Sequence, residues 1–379
     1  MTQHNIPIVM YHCINAHPEG HPLGFLSFSP EEFRQHLRFF HRAGYSFITM
    51  SDLWQQACSG KIGKKRLAVL TFDDGFLDNH LIAADILRQF GARATIFVNP
   101  GYADNSPVRT LEDVPNAWGY LNFAEMRLLE KSGIFDIQSH TLTHEMAFRS
   151  DRLIDLYDPK KFDKYHWLTW MLHPKTLKQW SGDVRRFANR IPSGYPIFEY
   201  DRCLTTQAFF PSDEFVQKCI NEYQKKKQAA LSELRNVKYK GVFEKKNTYL
   251  KRIDRGLRDS QRLLEKELQK KSIAICFPGG AYTASLLRIA KEIGHQLFMR
   301  SSRDQKGNNT SALFKCADNE IVGLNRISFS KDYPPFLQGK TSAYWNAKLK
   351  VGTFMGNPYL KSGMNLARGV RNMISKWSS

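Results

Sequence analysis

Short apolar runs recur through the first part of the chain, each closed by a turn signal and followed by residues at helical spacing. Ile6–Tyr11, Phe47–Met50, Leu67–Leu70, Ala94–Val98 and Ile134–Gln138 read as strands. Between them, Ser29-Pro30-Glu31-Glu32 opens a helix, with serine as N-cap, proline at the first position and acids in the first turn. Its apolar face is Phe33, Leu37 and Phe40, and Gly44 ends it. Ser51-Asp52 starts a short helix to Cys58. Asp78–Phe90 is amphipathic through Leu81, Ile82, Ile86 and Leu87, and Asn122 caps a further helix ending at Gly133. This alternation predicts an α/β fold with a parallel sheet or barrel. The pattern breaks near residue 145. From 145 to 250 the chain holds Trp167, Trp170, Trp180, turn signals at Ser181-Gly182 and Pro192-Ser193-Gly194, and lysine-rich runs, and reads as a partly helical insertion. Alternation then resumes, with a helix over Arg252–Leu268, a strand over Ile273–Phe277, a helix over Thr283–Ile293, a strand over Gln296–Met299 and a last strand over Asn325–Phe329.

Length and composition change this picture little. At 379 residues, 42% hydrophobic and 24% charged, the chain can build one large domain or two. The net charge of +19 does matter. It calls for an acidic partner, such as an anionic glycan, an anionic membrane face or nucleic acid. No helix-turn-helix, RRM or zinc-finger pattern is present, so no specific nucleic-acid partner is expected. The opening residues hold no secretory signal and no run is long enough to span a bilayer. The six cysteines are scattered without a CxxC pair. Both features point to a cytoplasmic protein with reduced thiols. After Asp332 the tail holds no acid, and Leu366, Val370, Met373, Ile374 and Trp377 fall at helical spacing within it. That stretch is a candidate amphipathic helix for peripheral contact with the anionic inner membrane face, or for packing on the main fold.

The chemistry concentrates at strand ends. Thr71-Phe72-Asp73-Asp74-Gly75 places two adjacent carboxylates where the third apolar run stops. Burying them is costly unless something pairs them. Ser139-His140-Thr141-Leu142-Thr143-His144 follows the fifth run, with histidines four apart that a helical turn would aim the same way. One aspartate with two histidines is a ligand set for a divalent metal with open positions. The neighbouring carboxylate can accept a proton from a water that the cation acidifies. Phe277-Pro278-Gly279-Gly280-Ala281-Tyr282 ends a further strand, and in a parallel fold these ends share one rim.

Taken together, these motifs resemble the polysaccharide deacetylases of the carbohydrate esterase 4 type, the NodB-homology domain, over roughly residues 6–145 and 252–330. Tyr11-His12, Ser29-Pro30-Glu31-Glu32-Phe33, Gly44-Tyr45 and Ser51-Asp52-Leu53 look like the bacterial branch of that family. The resemblance implies a distorted (β/α)7-type barrel. It divides the chain into a first barrel part (1–144), the insertion (145–250), a second barrel part (251–335) and the basic tail (336–379). Asp74, His140 and His144 match the family's metal triad, usually zinc, with cobalt, nickel or iron as other divalent occupants. Asp73 matches the catalytic base, and Pro278, Gly279 and Tyr282 fall where substrate and oxyanion are held. Two features depart from the family. Its third motif usually begins with an arginine that buttresses the base, and Ala274-Ile275-Cys276-Phe277 has none. Its late histidine, the usual general acid, is also missing from Asn325–Phe329. His12, at the end of the first strand, is the candidate for that place, and His295 lies at a strand start.

The function implied is metal-dependent removal of an N-acetyl group from a sugar, on a glycan or glycolipid precursor of a surface polysaccharide. Two alternatives remain: hydrolysis of a non-sugar C–N bond on the same barrel, and a non-catalytic glycan-binding module. The insertion follows the histidines directly, so it is expected over the site as a lid or substrate selector, or else as a solvated decoration. Its tryptophans could stack on sugar or pack as core.

Overall fold

The computed structural model describes residues 6–15, 24–62, 65–175, 184–299, 321–324, 326–329 and 341–360. Its main sheet is built from β1 (Ile8–Tyr11), β2 (Ser46–Ile48), β3 (Leu67–Phe72), β4 (Ala94–Val98) and β5 (Phe135–Ser139). After the insertion follow β10 (Ala274–Cys276), β11 (Leu297–Met299), β12 (Ile321–Leu324) and β13 (Ile327–Ser328). These nine strands lie side by side in the order β12-β11-β10-β5-β4-β3-β1-β13, with β2 beside β3. Every pairing among them is parallel. β2 pairs with the opening half of β3, from Leu67 to Val69, and β4 with its closing half at Thr71 and Phe72. With helices packed around it, the sheet is the α/β barrel-like fold that the alternation predicts. β3 and β4 are buried at every position, as apolar runs covered on both faces must be.

Local chemistry sets most helix starts. Ser29 forms a reciprocal capping box with Glu32: the Glu32 N–H donates to Ser29 Oγ at 3.2 Å, and the Ser29 N–H to Glu32 Oε2 at 2.7 Å. Asn122 and Glu125 do the same. The second helix, Met50–Cys58, starts earlier than Ser51-Asp52 suggests. Thr49 is its cap, with Asp52 as the reciprocal partner, while Ser51 Oγ is drawn to Asp136 at 2.9 Å. The Asp78–Phe90 segment is wider at its start, with π-type turns over Asn79–Ala83 before the α-helix Ala84–Gln89.

The insertion is partly helical, as expected, with helices over Trp167–Leu172, Asp213–Lys226 and Ala230–Arg235, and it also carries strands. It opens with an eleven-residue strand, β6 (Met146–Leu156), antiparallel to β7 (Pro196–Arg202). β6 carries Arg149, Asp151 and Arg152 at its centre, which hid it from pattern reading. β8 (Phe209–Pro211) and β9 (Gly241–Phe243) form a second ribbon. The insertion's apolar core includes Phe148, Leu156, Trp167, Trp170 and Phe198, and runs without a break into Cys13, Phe76 and Tyr102 of the barrel. Trp167 and Trp170 are thus packing residues; Trp180 lies outside the described residues. The helix Lys246–Leu268 begins six residues before Arg252 and returns the chain to β10.

In the tail, the helix Ser342–Phe354 buries Ala347 and Val351 in the main core, and Tyr344 meets Phe39 edge-on at 5.9 Å. The amphipathic stretch from Leu366 to Trp377, and the membrane contact expected of it, lie outside the described residues. Among the described residues no helix is long and apolar enough to cross a membrane.

One buried histidine makes this core acid-sensitive. His36 is fully buried beside Phe329, with ring centroids 4.4 Å apart. Burial pushes its imidazole down from 6.5 to about 3, and the Lys350 charge acts in the same direction. The unfolded chain therefore takes up a proton below pH 6.5 that the native state refuses. Stability is fully present above that pH and falls by about 1.4 kcal/mol per unit of acidification until the native group also titrates. Denaturant midpoints at pH 7.5 and 5.0 should show this loss. A His36→Leu variant should lose close to one proton's worth of the slope, and an unchanged slope would remove His36 from the account.

Candidate active site

The C-terminal ends of five strands meet at one rim. Tyr11 lies opposite Phe72, Phe72 opposite Ile96, Val98 opposite Ser139, and Ser139 opposite Ile275. The next residues are His12, Asp73, Asn99, His140 and, one position later, Phe277 with its Pro-Gly-Gly turn. Strand pairing continues one step past the strands, since the Asp73 N–H reaches Tyr11 O at 2.9 Å and the His140 N–H reaches Val98 O at 2.8 Å. These bonds fix where both side chains start.

Asp73 and Asp74 then part. Asp74 takes a left-handed conformation, with φ 70°, which aspartate tolerates better than most residues. Its carboxylate turns toward the histidines: Oδ1 lies 3.3 Å from His140 Nε2 and 4.0 Å from His144 Nε2. Gly75 follows, also left-handed at φ 69°, where a Cβ would meet Val98 Cγ1 at 2.9 Å. Asp73 points the other way. Arg326 grips it with Nη1 at 2.6 Å from Oδ1 and Nη2 at 2.8 Å from Oδ2. His12 Nε2 lies 3.9 Å from Oδ2.

The two histidines converge without a helical turn; residues 140–145 form an irregular loop. Thr141 sits at φ 69°, a strained place for a β-branched residue. Its Oγ1 donates to Thr143 O at 3.0 Å, and its N–H donates to Ser139 Oγ at 3.1 Å. Asn99 Nδ2 donates to the carbonyls of His140 and Thr141, at 2.6 and 3.2 Å. The His144 N–H donates to Tyr102 Oη at 2.6 Å. His140 Nδ1 is bonded to Cys276 O at 2.7 Å, which aims Nε2 at Asp74.

The electrostatics separate the two carboxylates. Burial alone would raise both. The Arg326 charge, aided by His140, holds Asp73 below its ordinary value. The nearby imidazoles of His140 and His144 do the same for Asp74. Burial pushes His144 down to about 4 despite the nearby Asp74 carboxylate, so it stands neutral, as a metal-binding imidazole must. Burial also lowers His12 against the pull of Asp73 and Asp74.

Asp74, His140 and His144 fit a divalent cation. Their ligand atoms all lie within 4.8 Å of one another, and Asp74 Oδ1 is buried with no hydrogen-bond partner. An acceptor left that way is costly unless a cation fills the gap. The Pro278–Gly280 turn stands beside the site, with Gly279 and Gly280 both left-handed and the Gly280 N–H on Phe277 O at 2.7 Å. Tyr282 packs on Phe277, with centroids 5.5 Å apart. His295 sits before β11, at the other end of the sheet from this rim, and is buried there. Pattern reading passed over Asn99, Tyr102 and Arg326. Arg326 stood in the candidate last strand, where alternation marked a strand but nothing tied it to Asp73.

A family model described as polysaccharide deacetylase matches residues 60–172. That stretch holds Asp73, Asp74, His140 and His144 and stops short of Pro278 and Arg326. A Bacillus subtilis (strain 168) protein, YxkH, whose own description as a polysaccharide deacetylase is provisional, is 29% identical over 139 residues. The match covers 37% of this chain and 43% of YxkH, less than half of that relative's length. Among solved structures, a de-N-acetylase from Aggregatibacter actinomycetemcomitans superposes with a TM-score of 0.54 at 15% identity, over 85% of this chain and 94% of its own. The BpsB deacetylase domain from Bordetella bronchiseptica gives 0.50 at 15% identity, over 86% and 95%. At such identities these likenesses speak for the fold. The chain is thus similar to the polysaccharide deacetylases through the segment that carries both aspartates and both histidines, and it shares the fold of solved deacetylases over most of its length.

Proposed function

We propose that this chain is a metal-dependent hydrolase that removes an N-acetyl group from a sugar of a glycan or glycolipid precursor. One observation carries the reading: two adjacent carboxylates face different partners. Asp74 faces a pair of imidazoles, and Asp73 faces a guanidinium and His12. Asp74, His140 and His144 would hold the cation, zinc by its ligand preference, with cobalt, nickel or iron able to replace it. Such an ion supplies a water of lowered pKa and a Lewis acid for the amide carbonyl.

The remaining roles belong to the chain. Asp73 accepts the proton of the attacking water. Arg326 keeps Asp73 ionised and fixes both of its oxygens. The amine that leaves when the C–N bond breaks needs a proton, and His12, whose Nε2 lies 3.9 Å from Asp73 Oδ2, is the residue assigned to carry the proton that Asp73 has taken to that nitrogen. The Gly279 N–H, just after Pro278, is the candidate for holding the carbonyl oxygen as charge develops on it, and Tyr282 for bordering the sugar. A cytoplasmic setting at the inner membrane face stays part of this proposal, on the basic balance and the scattered cysteines.

The test joins metal content to acetate release. The purified protein should hold about one divalent cation per chain. Asp74→Ala and His140→Ala should lose it while still folding, and acetate release from N-acetylated oligosaccharides should stop with the metal. A protein that binds no zinc, cobalt, nickel or iron after loading and dialysis would end this reading.

A further inference from the structure

Arg202 closes β7 at the edge of the rim, and the deacetylase reading gives it no task. β7 places it opposite Met146, two residues beyond His144, and the next residue is tied down, with the Cys203 N–H on Glu145 O at 2.9 Å. Its guanidinium lies close against the Pro-Gly-Gly turn. A Cβ on Gly279 would stand 2.8 Å from Arg202 Nε and 3.1 Å from Cζ. A side chain at this position would push the cation away from the turn.

The other cations nearby are answered and Arg202 is not. Arg252 is bound to Glu244, with Nη2 to Oε2 at 2.7 Å, and holds Cys203 O at 2.8 Å. Arg149 and Arg152 share Glu199. The Asp201 carboxylate takes the backbone N–H of Arg202, not its side chain. Among the described residues the Arg202 guanidinium has no hydrogen-bond or ion-pair partner, and its Nε is shut off from solvent. A half-buried cation held in place without an acceptor is costly by itself and becomes favourable once an oxyanion arrives. The planar fork of arginine matches a carboxylate or phosphate with two parallel bonds.

We propose that Arg202, carried by the insertion to the Gly279 turn, binds an oxyanionic substituent of the substrate, a carboxylate or a phosphate, next to the acetamide that reacts. The insertion thereby selects acidic glycans over neutral ones. This rests on the deacetylase reading for its chemistry, and the experiment separates the two. Acetate release is measured on three probes: chitobiose (neutral), a hyaluronan tetrasaccharide (carboxylate) and N-acetylglucosamine 1-phosphate. Calorimetry follows binding of the two charged probes in parallel, with melting curves to confirm folding. Arg202→Gln should raise KM about 10- to 100-fold for a charged probe with kcat nearly unchanged, the range of one charge-assisted hydrogen-bond pair. It should leave chitobiose within about twofold, and Arg202→Lys should recover part of the loss. The charged probe that suffers most names the source of the oxyanion. Equal losses on all three probes, or none on any, would overturn the proposal, as would a wild-type preference for chitobiose. If no probe releases acetate, the deacetylase reading fails on its own. The anion site then stands if Arg202→Gln abolishes calorimetric binding of a charged probe, and falls if the wild type binds neither.

Discussion

Arg326→Met is expected to cost about 3–5 kcal/mol of stability and to abolish turnover, because it leaves the Asp73 carboxylate buried without its cation. Asp73 is 3% exposed and Arg326 is equally buried. Both guanidinium arms bond the carboxylate, and the same Nη2 sits 3.1 Å from Cys276 Sγ. A methionine fills much of the volume but supplies no charge, so Asp73 can be accommodated only by taking up a proton, and a protonated carboxyl cannot accept one from water. Two measurements check this. Denaturant unfolding should show the loss in Arg326→Met. The double variant Asp73→Asn/Arg326→Met should be more stable than the two single losses added together, since neither partner is then left with an unanswered charge. A single variant that melts like the wild type would show that Asp73 does not depend on this arginine.

Much of this architecture can be read along the chain. β3, β4 and β5 are apolar runs that end in polar residues, and their ends carry Asp73, Asp74, Asn99 and His140. Adjacency in sequence thus became adjacency at the rim. The arginine could not be found in this way. In the resemblance it belongs at the start of the third motif, where this chain has Ala274. Here the cation comes from the other side of Asp73, from the residue before β13, which pairs with β1. That neighbourhood is set by strand order, and strand order has no local signature. The histidine pair shows the converse. Its spacing suggested a helical turn, and the two rings do lie with centroids 5.3 Å apart. What aims them is a strained Thr141, Asn99 from β4's end and the Tyr102 hydroxyl, contacts that no periodicity encodes. β6 was hidden for a third reason: only some of its positions face the insertion's core, so charges interrupt its apolar pattern.

Asp73→Asn should lower kcat by about 10²- to 10⁴-fold while leaving bound metal at the wild-type level. The side chain keeps its shape but loses the charge that accepts a proton. Arg326 is then buried beside a neutral amide, so some stability goes as well, and turnover must be compared below the onset of melting. The metal readout decides between two arrangements of the same residues. Asp74, His140 and His144 form one possible ligand set, and Asp73, His140 and Cys276 form a second, deeper one. Were the cation in the second, Asp73→Asn would release it and Asp74→Asn would not. The charges argue for the first. Arg326 lies against both oxygens of Asp73 and against the sulfur of Cys276, so a divalent ion placed there would face a buried guanidinium at contact distance. Asp74 Oδ1 has no competing donor and faces two imidazole nitrogens. Full metal in Asp73→Asn together with metal loss in Asp74→Asn would therefore assign the cation and the base to neighbouring residues in one step. The reverse pattern would move the reaction to the other side of Asp73.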